Sequence, residues 1–253
     1  MTENSERKFC FRSSERFGVN NMESGDFVIE RLDSVDSTNL YVEKKYLKKR
    51  IPAVVRADRQ TAGMGTKGRS FISDGGGLYF TQLRFYDFFP AEKAFQIMID
   101  YSVGVVKTLA AYGIKAQIKW PNDILAGGKK ICGILIKNGF CGEAIDYSLV
   151  GLGLNVNNEI AGEIENIAVS MKKLTGKDYD LDGVFFSLLK NVAEGSTIDE
   201  YRACSAVLGK KVRVIRSDGT SEKTAVSITD DGRLVLSDGE ILSAAEIDLK
   251  IGI

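Results

Sequence analysis

Three Asp-Gly pairs, Asp218-Gly219, Asp231-Gly232 and Asp238-Gly239, fall within 22 residues near the end of this 253-residue chain. Asp-Gly between β-type runs is a strong short-range hairpin signal, because a type I′ turn needs positive φ at both central residues. The runs they separate, 212–216, 224–229, 234–236 and 241–249, are too short for helices and too regularly spaced for irregular chain. Residues 204–253 are therefore predicted to close as a small antiparallel β-barrel.

The preceding chain has a different texture. Residues 1–25 are rich in Ser, Glu, Asn and Arg without an apolar period, and read as an extension. Phe27 opens a strand, and Asp36-Ser37-Thr38-Asn39 is a run of N-cap residues before a helix carrying Leu40 and Leu47. A short strand at 53–55 enters a glycine-rich stretch, 60–77, which leads into an alternating strand at 78–85. Pro90 suits the first turn of a helix that runs to about Tyr112, with Ala94, Ile97, Tyr101, Val105 and Leu109 on one face. Strands follow at 114–120, 131–137 and 147–155, joined by turns at Gly127-Gly128 and Asn138-Gly139, then helices at 163–175 and 182–203. The expected class is α+β, with a helix-flanked sheet over 26–203 followed by the barrel.

The chain has no histidine. Ser-His-Asp and Cys-His nucleophile systems, imidazole acid/base chemistry and His-ligated metals are thereby excluded. Lys plus Arg and Asp plus Glu both number 34, so bulk charge gives no general affinity for nucleic acid or membrane surfaces. Cys10, Cys132, Cys141 and Cys204 are scattered with no CxxC pair, as expected of reduced thiols. With no signal peptide and no long apolar run, a cytoplasmic protein is expected.

Gly63-Met64-Gly65-Thr66-Lys67-Gly68 satisfies G-x-G-x-x-G, but Arg69-Ser70-Phe71-Ile72-Ser73 after it cannot be the helix of a dinucleotide site. Neither this loop nor Gly127-Gly128-Lys129-Lys130 ends in the G-K-[ST] of a Walker A motif. Six glycines between 63 and 77 are costly to order. Such a loop can bring several backbone N–H groups and the cations Lys67 and Arg69 to an anion.

Four motifs in order, Asp36-Ser37-Thr38-Asn39, Gln60-Thr61-Ala62-Gly63-Met64-Gly65, Lys119-Trp120-Pro121-Asn122-Asp123 and Val150-Gly151-Leu152-Gly153-Leu154-Asn155, resemble those of biotin protein ligases. The likeness spans about residues 26–250. It implies a mixed sheet of the class II aminoacyl-tRNA synthetase type with a C-terminal SH3-like barrel. It further implies ATP-dependent formation of biotinyl-5′-AMP and transfer of biotin to a lysine of a biotin carboxyl carrier domain, with Mg2+. This chemistry tolerates the missing histidine. The attacking carboxylate is already ionised at neutral pH, so the site must supply cations, donors and alignment rather than a base.

By the same resemblance, Lys119 and Arg69 are the catalytic candidates. Biotin contacts fall to Ser37, Thr38, Asn39, Gln60, Gly63, Met64, Gly65, Thr66, Lys119 and Gly133, and ATP contacts to Lys67, Arg69, Phe71, Asn122, Lys130 and Asn155. Phe71 stands where the family usually has a tryptophan. From the residues alone, Ser37 to Asn39 also read as an N-cap, Lys130 as a solvated hairpin residue and Gly133 as a bulge. Trp120 reads as packing, and no metal ligand can be named. The usual family loop, Gly-Arg-Gly-Arg-x-Gly-Arg, here has Met64 and Thr66 in place of two arginines, so weaker retention of the adenylate is expected. Twenty-five residues before the first strand are too few for a helix-turn-helix module, so no DNA binding is expected; a homodimer is left open. A lipoate-type ligase and a non-enzymatic biotin binder are the alternatives.

Overall fold

In a computed structural model of the chain, residues 27–216, 219–243 and 248–251 are described. The expected extension at 1–25 and Cys10 lie outside them, as do Ser217 and Asp218 of the first Asp-Gly turn. Strand β1 (Val28–Leu32) leads through helix α1 (Thr38–Lys45) to a parallel neighbour, β2 (Ala53–Ala57). The other strands of the sheet are antiparallel: β3 (Leu78–Pro90), β4 (Ala116–Lys119), β5 (Asp123–Ala126), β6 (Lys129–Cys141) and β7 (Ala144–Leu154). The order is β1-β2-β3-β7-β6-β5-β4, a mixed seven-stranded sheet.

One face of this sheet is packed from end to end. Val54, Leu78, Phe80, Leu152, Val150, Ile134 and Ile124 join buried residues of α2 (Phe95–Ala111) and α4 (Leu181–Ala193) in the main core. α2 buries Ile97, Tyr101, Val105 and Leu109 as its spacing predicts, and ends at Gly113 with φ 76. The opposite face is covered by α1 over β2, β3 and the adjoining part of β7, where Val42 and Tyr46 pack on Ala53, Val55, Leu83 and Leu149. The rest of that face is available for a site.

The second sheet contains β8 (Lys211–Arg216), β9 (Gly219–Ile228), β10 (Leu234–Leu236), β11 (Ile241–Leu242) and β12 (Asp248–Ile251), in the order β11-β10-β9-β8-β12. Its pairs are antiparallel, and its apolar side chains join the main core. The turn before β10 is fixed on the larger unit. The Trp120 indole N–H donates to the Gly232 carbonyl at 2.8 Å, the Arg202 guanidinium donates to the Ile228 carbonyl, and Gly232 has φ 84.

Local expectations differ from the structure at several points. Pro90 ends β3 and precedes a 3-10 turn instead of starting α2. Asn138-Gly139 lies inside β6, where Asn138 accepts a cross-strand hydrogen bond from Ser148; the hairpin turns at Gly142, φ 59. The strand expected at 114–120 is shorter, and an unforeseen hairpin carries the chain through Pro121-Asn122 into β5. The expected helix at 163–175 is a 3-10 turn followed by α3 (Met171–Thr175). That at 182–203 breaks into α4 and α5 (Ile198–Ala203), because Gly195 takes φ 72 and Thr197 with Glu200 forms a new capping box. The run expected as one strand over 241–249 starts as the two-residue β11, and its end belongs to β12. Leu40 is 44% exposed, because α1 turns Val42 rather than Leu40 inward.

Candidate functional site

Strand register builds the floor of the site. Lys119 pairs with Asp123, Asp123 with Gly133, Gly133 with Gly153 and Gly153 with Tyr79, so all five share one face of the sheet. One row further along, Leu135 pairs with Gly151 and Gly151 with Thr81. Gly133, Gly151 and Gly153 leave this face without side chains where it is not covered by a helix. The result is an open groove, its roughly 440 Å³ of space continuous with solvent.

The end of the groove nearer α1 is a hydrogen-bonding wall. A Cβ on Gly151 would collide with the Asn39 amide, so Asn39 lies directly over that glycine. Gln60 Oε1 accepts from the Thr38 backbone N–H at 2.9 Å and the Thr38 hydroxyl at 3.0 Å. The Thr38 hydroxyl in turn accepts from Thr81 at 2.9 Å. Ser37 occupies the N-cap position of α1, yet its side chain makes no capping bond. Its hydroxyl is buried without a hydrogen-bond partner, although leaving such a group unpaired costs about 1–3 kcal/mol.

The other end is aromatic and cationic. A Cβ on Gly153 would come within 2.5 Å of Phe71 Cε1, and one on Gly133 within 3.3 Å of Phe71 Cε2, so the ring roofs both glycines. Lys130 Nζ lies 5.8 Å from the centre of this ring and pairs with Asp123 at 2.6 Å. Its side chain crosses Gly133, whose missing Cβ would sit 3.1 Å from Nζ. Asn122 lines this end while donating to the Ile134 carbonyl at 2.8 Å. Cys132, next to Gly133 in sequence, points into the core, and burial pushes its thiol pKa well up, so no thiolate competes here.

The glycine loop forms the rim. Met64 bridges to Ser70, the Gly65 N–H donates to the Arg69 carbonyl at 2.7 Å, and a 3-10 turn spans Thr66–Gly68. Met64, Gly65 and Thr66 all line the groove. The turn then leads to Phe71, with no helix, as the sequence indicated.

Of the sequence-derived candidates, the groove thus gathers Thr38, Asn39, Gln60, Met64, Gly65, Thr66, Phe71, Asn122, Lys130 and Gly133. Ser37 and Gly63 lie buried behind its wall. Lys119 does not line it: it sits on edge strand β4, two strands or roughly 10 Å from Gly133 along the row. Arg69 is exposed and hydrogen-bonds to Thr66 of its own loop. Asn155 is buried, donating to the Val169 carbonyl and accepting from Asn158. The Lys67 side chain lies outside the described ones. Gly151, Gly153 and Asp123 were not assigned roles from the sequence. The signal for the glycines was present: two of them two residues apart in a buried strand mark one bare patch on one face.

A glycine-floored groove on a mixed sheet, polar at one end and roofed by an aromatic ring beside a lysine at the other, defines a two-compartment small-molecule site. The family model described as Biotin/lipoate A/B protein ligase family matches residues 31–155, and that described as Biotin protein ligase C terminal domain matches 207–250. The chain belongs to the biotin/lipoate A/B protein ligase family.

Bifunctional ligase/repressor BirA of Bacillus subtilis (strain 168) is 31% identical over 214 residues, covering 79% of this chain and 66% of that protein. The chain thus spans just under two thirds of that relative's length. A biotin–acetyl-CoA-carboxylase ligase of Paracoccus denitrificans is 29% identical over 246 residues, 85% of this chain and 98% of its own. The biotin protein ligase from Aquifex aeolicus, solved in complex with biotin and ATP, superposes with a TM-score of 0.75 at 27% identity. That match covers 88% of this chain and 99% of the Aquifex chain.

Proposed function

We propose that this chain is an ATP-dependent biotin protein ligase, which forms biotinyl-5′-AMP and passes biotin to a lysine of a biotin carboxyl carrier domain. The carrying observation is the groove itself, with a fixed hydrogen-bonding array at one end and an aromatic and cationic end reached across Gly153 and Gly133. The ureido ring of biotin, with its carbonyl and two N–H groups, suits Ser37, Thr38, Asn39 and Gln60. Ser37 stands behind this wall with an unpaired hydroxyl, so its part in the ring's contacts requires the wall to shift. The dithiolane ring of lipoate offers no comparable hydrogen bonds, which favours biotin over lipoate.

Biotin's valeryl chain then runs from the Asn39 end past Phe71 to place its carboxylate near Lys130. There it attacks the α-phosphorus of ATP in line, and pyrophosphate leaves. Lys130 offsets the negative charge gathered on the phosphate, while Phe71 stacks on the adenine. In the second step the carrier lysine amine attacks the acyl carbonyl and AMP leaves. Asp123, which holds Lys130, is the proposed acceptor of the proton lost by that amine. Lys119, Lys67 and Arg69 remain proposed phosphate contacts on the edge strand and rim, and Met64, Gly65 and Thr66 cover the adenylate, with Gly63 behind them. Asn155 stabilises the nucleotide end through its buried network rather than by reaching the ligand.

Among the described residues no group of three Asp, Glu, Cys or His side chains could hold a metal ion. Magnesium is proposed to enter with ATP, bound through its phosphates. We assign residues 26–203 to the catalytic unit and 204–253 to the barrel. Zero net charge accords with a ligase that acts without DNA. Among the described residues no helix is long and apolar enough to cross a membrane, and we place the protein in the cytoplasm.

The test is one incubation of the chain with Mg-ATP, labelled biotin and a biotin carboxyl carrier domain. Label on the carrier lysine is expected. Biotin binding without ATP–pyrophosphate exchange would instead identify a non-enzymatic binder.

A further inference from the structure

Ser73 belongs to none of the motifs, yet its hydroxyl joins the two ends of the groove. The side chain is buried. Its oxygen accepts from Gln60 Nε2 at 2.9 Å and its proton is donated to the Phe71 carbonyl at 3.0 Å. The backbone adds a bond from the Gln60 N–H to the Ser73 carbonyl, also 3.0 Å.

The proton directions in this chain are determined. A backbone carbonyl can only accept, so the single Ser73 proton goes to Phe71 and the hydroxyl can only accept from Gln60. Gln60 must therefore turn its amide nitrogen to Ser73 and its oxygen to Thr38. That is the orientation the two donors of Thr38 require independently. One N–H of the Gln60 amide is left for the groove, which Gln60 lines. Gly63 makes room for the junction: a Cβ there would lie 2.7 Å from Ser73 Oγ and collide with the Phe71 carbonyl.

We infer that Ser73 is a positioning residue that couples the biotin end of the site to the nucleotide end. The inference rests on the ligase reading above. A ureido carbonyl that accepts the remaining Gln60 N–H fixes the amide, the amide fixes the Ser73 hydroxyl, and the hydroxyl fixes the backbone of Phe71. The ring that roofs Gly153 and Gly133 is then held for the nucleotide. Ser73 touches neither substrate.

The test is the dissociation constant of biotin, measured by calorimetry on the full chain with and without saturating α,β-methylene-ATP. The ratio of the two constants reports the coupling. A ratio above one is expected for the wild type. Ser73→Ala is expected to bring it towards one, a reduction of up to about fivefold, the factor carried by one net hydrogen bond. The melting temperature of the unliganded protein should move by only a few degrees. In a Gln60→Ala background, the added Ser73→Ala change should have no further effect on the ratio, because the relay is already cut. Ser73→Thr, which keeps the hydroxyl, should restore the coupling. An unchanged ratio in Ser73→Ala, a wild-type ratio of one, or additive effects of the two alanine changes would overturn the assignment while leaving the ligase reading intact. Failure of the wild-type chain to bind biotin would overturn both.

Discussion

Substituting Gly153 by alanine tests the groove with a single methyl group. The backbone at Gly153 is not left-handed, so alanine is permitted there. The new Cβ would lie 2.5 and 2.7 Å from Phe71 Cε1 and Cζ. Carbon atoms prefer about 3.5–4.0 Å, so the ring must withdraw by roughly 1 Å or more. The fold has little reason to suffer: glycine inside a strand is worse than alanine by about 0.5–1 kcal/mol, which offsets the lost packing. A net change under about 1 kcal/mol corresponds to a melting shift of roughly 2–4 °C for a chain of this size.

The nucleotide should respond more strongly. Loss of the aromatic stack, worth about 0.5–1.5 kcal/mol, predicts a rise of roughly 2- to 12-fold in the KM for ATP. In the proposed reading biotin's ring meets Asn39, which lies over Gly151, roughly 6.8 Å further along the strand, so its KM should stay within about twofold. Biotin-dependent ATP–pyrophosphate exchange, titrated with each substrate in turn, separates these effects. Gly151→Ala, which displaces Asn39, should give the opposite pattern. An equal rise in both constants for Gly153→Ala, or an unchanged ATP constant, would refute the division of the groove into two ends. A large fall in melting temperature would show that Phe71 is core rather than roof.

Four other perturbations follow from the same geometry. Lys130→Ala removes the cation proposed to lie beside the reacting phosphate and should slow exchange by roughly 10- to 150-fold, the equivalent of about 1.5–3 kcal/mol for a charged hydrogen bond; less than a threefold loss would remove Lys130 from the mechanism. Met64→Arg with Thr66→Arg places two cations on the groove rim and should slow biotinyl-adenylate release by roughly tenfold or more, measured by trapping the released intermediate; unchanged release would show that the rim does not retain it. Burial tends to raise the pKa of Glu30, but bonds from Lys45, Tyr46 and Tyr41 outweigh it, so its folded value is lowered from the ordinary 4.5. Its stabilisation is then complete above that pH and lost as pH falls through the lowered value; Glu30→Gln should flatten this acid limb in pH-dependent melting, and an identical limb would refute the assignment. Trp120→Phe leaves the Gly232 carbonyl unpaired and should cost about 1–3 kcal/mol, seen as a melting decrease of roughly 2–10 °C; no decrease would show that this contact does not fasten the barrel.

The parts of the fold visible in the sequence were those set by short-range chemistry. The α2 stripe was legible because a 3.6-residue period persists over 17 residues, and the small barrel because the Asp-Gly pairs at 231–232 and 238–239 turn hairpins, with Gly232 and Gly239 at positive φ. Asn138-Gly139 misled for the same reason. The dipeptide favours a turn, but pairing of β6 with β7 continues across it to Cys141. The N-cap run at 36–39 identified the start of α1 without revealing that Ser37 withholds its side chain from the cap. Local preference thus found the element, and the departure from local preference falls at the hydrogen-bonded wall of the groove.

The site was only half legible, because its residues are brought together by register. Lys119, Trp120 and Asn122 lie within four positions, yet they are sent to the sheet edge, the barrel contact and the groove. Lys130, read equally well as a hairpin residue, reaches the groove because a bulge in the β5–β6 pairing, between Ile124 and Leu125, resets its strand partner to Leu125. Nor does any single motif contain the floor: Gly133 comes from β6 and Gly151 and Gly153 from β7, adjacent only once Gly133 pairs with Gly153. A chain without histidine places correspondingly more of its chemistry in such arrangements. With no imidazole to tune, the proposed reaction depends on where a lysine, an amide and the absence of three side chains are held, and those positions are properties of the sheet.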